Sequence, residues 1–210
     1  MIPTAGPYLL PLLLPALREG WPQLQLLLRE AQTAALVERL RAGSLDAAIL
    51  SLPLDADDLR GEPLLSEPIL VALPSGHRLA QQKRITPGSL ASESILLLEE
   101  GHCLRDQSLA VCDSAGLANH RDDVQAAGLE SLRQMVMAGI GIALVPELAT
   151  LAPFGAEQLA VYRRFQPPEP KRELLLAWRR SFPRGDALQV LARGLRDALA
   201  ARPGGDAPSG

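Results

Sequence analysis

Cysteine, aromatic residues and surplus positive charge are all scarce in this sequence of 210 residues. It has 2 cysteines, 3% aromatic residues, and 21 lysines and arginines against 24 aspartates and glutamates. Two cysteines are too few for a disulfide-stapled secreted scaffold. The net charge of −3 argues against nucleic-acid binding by this chain alone, because affinity for phosphate depends on clustered Lys and Arg. With so few aromatic rings, Leu, Ala, Val and Ile must form most of the core.

A long uninterrupted apolar run is also missing. The apolar stretch Tyr8–Leu17 is shorter than the roughly 20 residues that a membrane helix needs. Pro11 and Pro15 interrupt it, and it has no basic leader or obvious cleavage site, so it is not typical of a signal sequence. We interpret it as an amphipathic helix and expect a cytoplasmic protein without membrane contact. Thiols stay reduced in that compartment, so a useful disulfide there would be transient and redox-sensing.

Short apolar strands alternate with helical stretches along the sequence. Strands are predicted at Leu24–Glu30, Leu45–Leu52, Pro63–Leu73, Ser94–Leu98, Asp123–Ala127, Ile140–Val145 and Glu173–Trp178. Helices are predicted at Tyr8–Arg18, Thr33–Arg41, Leu104–Ala115, Glu130–Ala138 and Arg184–Ala201. This order predicts an α/β fold with parallel sheets covered by helices. The glycines at 139 and 141 follow a helix and precede a strand, which indicates a helix stop rather than a dinucleotide-binding loop.

Two segments that contain proline or glycine, 74–76 and 166–170, divide this pattern. They predict one domain formed by 1–73 with 171–202, a second formed by 74–170, and a disordered tail at 203–210. Ligands of open α/β sheets usually bind at the carboxyl ends of strands, so we expect a ligand cleft between the two domains. The basic pairs at 171–172 and 179–180 are expected to be solvated strand ends.

The two cysteines, Cys103 and Cys112, lie nine positions apart in a stretch with helical character. In one continuous helix their Cα atoms would differ by about 13.5 Å in rise and would point to opposite sides. A disulfide needs Cα atoms no more than about 7 Å apart. The spacing therefore predicts that the two sulfurs can bond only if this segment unwinds and refolds.

The neighbours of Cys103 favour reaction at that residue first. A helix N-terminus and Arg105 would both favour the thiolate form of Cys103. Such a thiolate can attack the O–O bond of a peroxide, and the product is a sulfenic acid. Cys112 would then resolve the sulfenic acid to a disulfide. Two alternatives stay open: Cys112 as an inert, buried small hydrophobe, and a zinc site formed by His102, Cys103, Cys112 and His120. The second lacks the tight C-x2-C pair of structural zinc sites, so we expect neither a metal nor another cofactor.

Several stretches of the sequence carry a resemblance to a known family. The most specific is 101–107 (GHCLRDQ), with Cys112 at the matching distance and an Ala-Gly pair at 115–116. Other stretches are 5–11 (AGPYLLP), 30–33 (EAQT), 43–46 (GSLD), 129–133 (LESLR) and 139–146 (GIGIALVP). They extend over nearly all of the chain up to the tail. The sequence resembles the LysR-type transcriptional regulators and, at the cysteine motif, the peroxide-sensing members of that family.

This resemblance implies a fold of two Rossmann-like subdomains, similar to the type 2 periplasmic binding proteins. It also implies a cytoplasmic activator that responds to hydrogen peroxide, forms a homodimer or homotetramer, acts on RNA polymerase and is reset by a thiol reductant. Family members contact DNA through an N-terminal winged helix-turn-helix. We expect that domain to be missing here and the chain to be part of a longer protein, with Met1 as an added start.

The resemblance also implies roles for particular residues. It makes Cys103 the peroxidatic cysteine and Cys112 the resolving one. It assigns peroxide binding or activation to the residues Thr4, Thr33, His102, Arg105 and Asp106. The residues themselves allow plainer interpretations: Thr33 as a helix N-cap, Thr4 as a terminal loop residue, His102 as a surface histidine, Arg105 paired with Asp106 or Glu99, and Asp106 as an anchor of the loop.

Three functions compete on this sequence. The leading hypothesis is a peroxide-dependent regulatory switch that is not an enzyme. The second is a LysR-type domain that binds a small anion in its cleft and has non-redox cysteines. Family members often have a Thr-Ser pair where this chain has Ala127 and Gly128, which makes a polar effector site at that point less favourable. The third hypothesis is a thiol peroxidase that turns over catalytically.

Overall fold

The computed structural model describes residues 1–54, 56–114, 116, 124–151 and 159–201. Its helices are α1 (Gly6–Gly20), α2 (Thr33–Arg41), α3 (Cys103–Ser114), α4 (Leu129–Met137) and α5 (Gly185–Ala200). Its strands are β1 (Ala48–Ser51), β2 (Leu59–Pro74), β3 (Arg84–Ile85), β4 (Ile95–Leu98), β5 (Gln125–Ala126), β6 (Ile142–Pro146), β7 (Ala160–Phe165) and β8 (Lys171–Arg179). Short 3-10 helices occupy Arg78–Gln81, Pro87–Leu90 and Glu147–Thr150. The predicted α/β fold class is confirmed, whereas the predicted tail at 203–210 lies outside the described residues.

The chain forms two compact units. The first consists of Met1–Ser66 and Glu173–Gly210, and the second of Glu67–Arg172. The domain limits expected from the sequence, 1–73 with 171–202 and 74–170, stay a prediction. Among the described helices, none is long and apolar enough to cross a membrane.

In the first unit, β1 pairs antiparallel with β8, in a register that runs from Ala48↔Ala177 to Ser51↔Leu174. β8 also lies next to β2. α1 packs against α5, and α2 packs against β1. Every residue of β1 is buried, as expected for a strand that is covered by a helix.

The second unit has the strand order β3-β7-β2-β6-β4-β5. β4 is parallel to β5 and to β6, and helices α3 and α4 form the connections between these three strands. The prediction of parallel sheets is wrong for β2, which is antiparallel to both β6 and β7, and for the β1–β8 pair of the first unit. A helical crossover is what returns a chain parallel to itself, and no such connection joins these pairs directly.

Leu24–Glu30 forms neither a strand nor a helix, so the first predicted strand is wrong. Its backbone hydrogen bonds to described residues are few: the Leu24 amide donates to the Trp21 carbonyl, the Met1 amino group donates to the Arg29 carbonyl, and the amide of the following residue, Ala31, donates to the Met1 carbonyl. A strand needs a continuous ladder of such bonds with a partner. Without one the leucines of the segment stay partly exposed, and Leu27 is 92% exposed.

The basic pair at 171–172 is not a solvated strand end, because Arg172 is fully buried. Its Nε donates to Oε1 of Glu67 at 2.8 Å, and both side chains are 0% exposed. Oε2 of Glu67 accepts from the Leu148 amide at 2.7 Å. A buried guanidinium is tolerable because a carboxylate compensates its charge, and that carboxylate lies 105 positions away in the sequence.

The glycine pair at 139 and 141 stops a helix, as predicted. Gly139 has φ +77°, a conformation that glycine adopts without steric cost. The amide of Ile140 donates to the Met135 carbonyl, which closes the end of α4 in a Schellman arrangement.

Candidate functional site

A tight turn brings Cys103 to the first position of α3, directly after the end of β4. The Glu99 amide donates to the Ala126 carbonyl at 3.0 Å, which extends the pairing of β4 with β5 by one residue. Gly101 then takes φ +89°, which a residue with a side chain rarely adopts, and the chain reverses into the helix. Cys103 is partly exposed there. At that position the helix dipole stabilises a negative charge on the Cys103 sulfur.

His102 and Arg105, which flank Cys103 in the sequence, are both buried. His102 is 6% exposed, so its interpretation as a surface histidine is wrong, and within the described part of the chain its ring forms no hydrogen bond. Nη1 of Arg105 donates to the Leu98 carbonyl at 2.9 Å, and the Arg105 amide donates to the His102 carbonyl at 2.9 Å. A buried cation with a fixed partner and a buried imidazole therefore flank, in the sequence, a cysteine that is partly exposed.

Asp106 occupies the first turn of α3 but is exposed. Its side chain makes no hydrogen bond or ion pair to the residues that the structure describes, so no contact supports its role as an anchor of the loop. A carboxylate in the first turn still stabilises a helix through its dipole. Gln107 lies one turn after Cys103 on the same face of α3, and its Oε1 atom is buried.

Cys112 lies in the second half of α3 and is 0% exposed. It belongs to an apolar cluster whose other members include Ile95 and Leu97 of β4 and Ile142 and Leu144 of β6. Burial, with a smaller contribution from the charge of Asp113, raises the pKa of the Cys112 thiol above its ordinary value. The interpretation of this residue as a buried small hydrophobe therefore describes its packing correctly.

The two cysteines are both free thiols, and α3 is uninterrupted between them. The two cysteines therefore lie on one intact helix, as the sequence predicts. Their Cα atoms are then about 13.5 Å apart along the axis, which is too far for a disulfide. The partly exposed Cys103 and the buried Cys112 also differ in access to any reagent dissolved in water.

The structure groups four of the predicted site residues at the start of α3 in the second unit: His102, Cys103, Arg105 and Asp106. Thr4 and Thr33 belong to the first unit. Thr4 lies in the turn before α1, as the terminal loop interpretation has it, but is only 1% exposed. Thr33 is the first residue of α2, with Gln32 at the N-cap and no side-chain cap bond, so its interpretation as the N-cap is wrong. Its Oγ1 is buried and has no hydrogen-bond partner among the described residues. That orphaned hydroxyl has no signature in the sequence.

A zinc site finds no support in the described part of the chain, where no three His, Cys, Asp or Glu side chains are grouped to hold a metal ion. His120, the fourth residue of that alternative, lies outside the described residues.

Comparison with known proteins identifies relatives of this arrangement. The family model of the LysR substrate binding domain matches residues 1–200. The DNA-binding transcriptional dual regulator OxyR of Escherichia coli (strain K12) is 40% identical over 196 residues, which are 93% of this chain and 64% of that protein. The chain thus spans less than two thirds of the length of this relative.

Solved structures show the same fold. The reduced form of the OxyR regulatory domain from Pseudomonas aeruginosa matches with a TM-score of 0.84 and 39% identity, over 93% of this chain and 94% of that one. The crystal structure of the oxidised form of OxyR matches with a TM-score of 0.84 and 40% identity, over 95% of this chain and 93% of that one. Both redox forms of this kind of domain are therefore known to exist.

Proposed function

The chain belongs to the family of LysR substrate-binding domains, and on this premise we propose that it is the hydrogen-peroxide-sensing regulatory domain of a LysR-type transcriptional activator. One observation carries the proposal: two free thiols share one helix, one partly exposed at its N-terminus and the other sealed in the core. An oxidant dissolved in water therefore reaches Cys103 first. Relatives with reduced and oxidised forms support the same reaction.

In the first step the thiolate of Cys103 attacks one oxygen of hydrogen peroxide. The S–O bond forms as the O–O bond breaks, the sulfur is oxidised to sulfenic acid, and the other oxygen leaves as hydroxide that takes up a proton. The N-terminus of α3 stabilises the thiolate. In this proposal His102, which is buried and whose ring forms no hydrogen bond within the described residues, orients or protonates the leaving oxygen.

In the second step the thiol of Cys112 attacks the sulfenic sulfur. The S–S bond forms, and the hydroxyl leaves with the thiol proton as water. Since an intact α3 keeps the sulfurs apart, the helix must unwind and Cys112 must leave its apolar cluster. This refolding is how a local oxidation changes the surface that the domain presents to its partners.

The remaining residues hold peroxide or stabilise charge in this proposal. Thr33 contributes the buried hydroxyl that has no partner among the described residues, and a hydroxyl both donates and accepts, which suits a symmetric peroxide. Thr4 is the second threonine assigned to peroxide. Arg105, fixed on the Leu98 carbonyl, stabilises the thiolate or the departing oxyanion. Asp106 supports the first turn of α3.

The partners follow from the family rather than from this chain alone. We expect a cytoplasmic protein that reads DNA through a winged helix-turn-helix outside the matched region, acts on RNA polymerase, and is reset by a thiol reductant. Self-association to a dimer or tetramer is supported by exposed apolar side chains of the first unit, namely Leu14, Leu24, Leu26, Leu27 and Leu28.

The test is oxidation with one equivalent of hydrogen peroxide. We expect the mass to fall by about 2 Da and both titratable thiols to disappear, as a dithiol becomes a disulfide. Cys112→Ala should stop at a sulfenic acid that dimedone traps on Cys103, while Cys103→Ser should react far more slowly. If Cys103→Ser consumed peroxide as fast as the parent, the assignment of Cys103 would be overturned.

A regulator and a thiol peroxidase differ in turnover. We expect one equivalent of peroxide to be consumed per chain, with slow regeneration when a thiol reductant is added. Sustained rapid consumption under the same conditions would identify a peroxidase instead. Thiols that ignore peroxide would favour a small-anion-binding domain with non-redox cysteines.

A further inference from the structure

The second unit contains a cavity of about 390 Å³ at residues 81–84 and 162–164, which we call the basic pocket. It lies where the short strand β3 pairs with β7, in the register Arg84↔Arg164. The volume falls within the range of about 300–1,000 Å³ that is typical of small-molecule sites. Four of its seven lining residues are cations: Lys83, Arg84, Arg163 and Arg164.

Two of these cations are already compensated. Glu169 pairs with both Arg84 and Arg164, and Glu147 also pairs with Arg164. Nη1 of Arg84 donates in addition to the Phe165 carbonyl at 2.8 Å. These two arginines therefore form part of the pocket wall. Because carboxylates compensate their positive charges, they attract an anionic ligand only weakly.

The other two cations, Lys83 and Arg163, have no carboxylate partner among the described residues. Arg163 donates from Nε and Nη2 to the Ala80 carbonyl at 3.1 and 2.6 Å, and from Nη1 to the Tyr162 carbonyl at 3.0 Å. These bonds fix the guanidinium in place but leave its positive charge uncompensated, since carbonyls are neutral. Lys83 is exposed and makes neither a hydrogen bond nor an ion pair to any described residue.

Tyr162 also lines the pocket. Its Oη accepts from Nε of Arg133 at 3.0 Å, so its own hydroxyl proton is available for a further acceptor. Gln81 and Gln82 also belong to the lining. The pocket thus combines two uncompensated positive charges with neutral hydrogen-bond donors, which is a lining that recognises an anion.

We infer that the basic pocket binds a small anion with two or more negative charges, of phosphate or carboxylate chemistry. Two charges match the two uncompensated cations. The chain as a whole has a net charge of −3, so long-range attraction does not gather anions on it, and capture depends on these local groups. The site is separate from the cysteine chemistry and gives the domain a second chemical input.

Calorimetry of the whole chain in a low-salt buffer free of phosphate tests this site, with pyrophosphate and citrate as separate probes. We expect saturable one-site binding of at least one probe, and the tighter of the two identifies phosphate or carboxylate chemistry. Lys83→Glu should weaken binding about tenfold or more, because it replaces attraction by repulsion. Lys171→Glu is the matched control: Lys171 is an exposed lysine of the same unit outside the pocket, and its variant should bind within about twofold of the parent.

Tyr162→Phe provides a second variant that keeps the charge and removes only the donor, and we expect it to bind about threefold to tenfold more weakly. Thermal melting of each variant confirms that it is folded. Absence of saturable binding for both probes would overturn the inference. So would an equal loss of affinity in Lys83→Glu and Lys171→Glu, because binding would then follow general surface charge.

Discussion

Arg172 and Glu67 form an ion pair with no solvent access, in which the arginine Nε lies 2.8 Å from Oε1 of the glutamate. Glu67 is the first residue of the second unit and Arg172 is its last, so the pair joins the two ends of that unit. The second carboxylate oxygen receives the Leu148 amide at the start of a 3-10 helix. Each carboxylate oxygen of Glu67 therefore accepts a hydrogen bond from a buried donor.

Removal of one partner should be costly. We expect Arg172→Met to lower the free energy of unfolding by about 3–5 kcal/mol, because it leaves a buried carboxylate with its charge uncompensated. Urea denaturation measures this. Lys171→Met, at the exposed neighbouring position, should change stability by less than about 0.5 kcal/mol. Equal effects of the two substitutions would show that the pair does not stabilise this unit.

The thiol of Cys112 predicts a decline in stability at alkaline pH. Its pKa in the folded chain is raised from the ordinary 9.0, chiefly by burial, so the unfolded chain ionises first as pH rises. The stabilising contribution is fully present below about pH 9 and is lost as pH rises through the folded pKa. Cys112→Ala should flatten this part of the profile relative to Cys103→Ser. Superimposable profiles between pH 8 and 10.5 would contradict the assignment.

Substitution of Thr33 should affect the rate of Cys103 oxidation without lowering the free energy of unfolding. Its buried hydroxyl has no partner among the described residues, so Thr33→Val should leave the free energy of unfolding unchanged or slightly raised. If the hydroxyl orients peroxide, the same substitution should slow oxidation of Cys103 about tenfold, while Thr33→Ser keeps most of the rate. Stopped-flow consumption of peroxide measures this. Parent-like oxidation by Thr33→Val would remove Thr33 from the site.

Leu27 tests self-association. At 92% exposure it makes few contacts within its own chain, so Leu27→Lys should leave the melting temperature nearly unchanged. It should shift sedimentation toward the monomer if this surface is an interface, because a charge would be buried there. Ile140→Lys, at a half-exposed apolar position of the second unit, is the control. A sedimentation coefficient unaffected by Leu27→Lys would place the interface elsewhere.

The elements that the sequence predicts well are those whose signals are local. α2 begins and ends at the predicted residues, and α3 begins one residue before the predicted Leu104, while its predicted last residue, Ala115, lies outside the described residues. The predicted strand at Leu24–Glu30 fails because its apolar pattern reports side chains, whereas a strand also needs a neighbouring backbone. β7 was not predicted, because AVYRRF carries three polar or charged side chains in a row.

The difference between local signals and contacts with distant residues also explains which features of the site the sequence predicts. His102, Cys103, Arg105 and Asp106 are contiguous or nearly so, and sequence alone groups them at one helix start. Their exposure follows from packing and differs from residue to residue: the histidine and the arginine are buried, while the aspartate is exposed. The burial of Arg172 depends on a partner 105 positions away, a distance over which one sequence contains no pairing signal.

The packing of Cys112 among apolar side chains has an effect on the reverse reaction as well. Those contacts stabilise the dithiol state and must be given up by the proposed disulfide. For a two-electron couple, each 1.4 kcal/mol of preference for the dithiol raises the reduction potential by about 30 mV. A well-packed resting state therefore makes the disulfide a stronger oxidant and readily reduced by cellular thiols. The apolar core would in this way set how much peroxide is needed to keep the signal on.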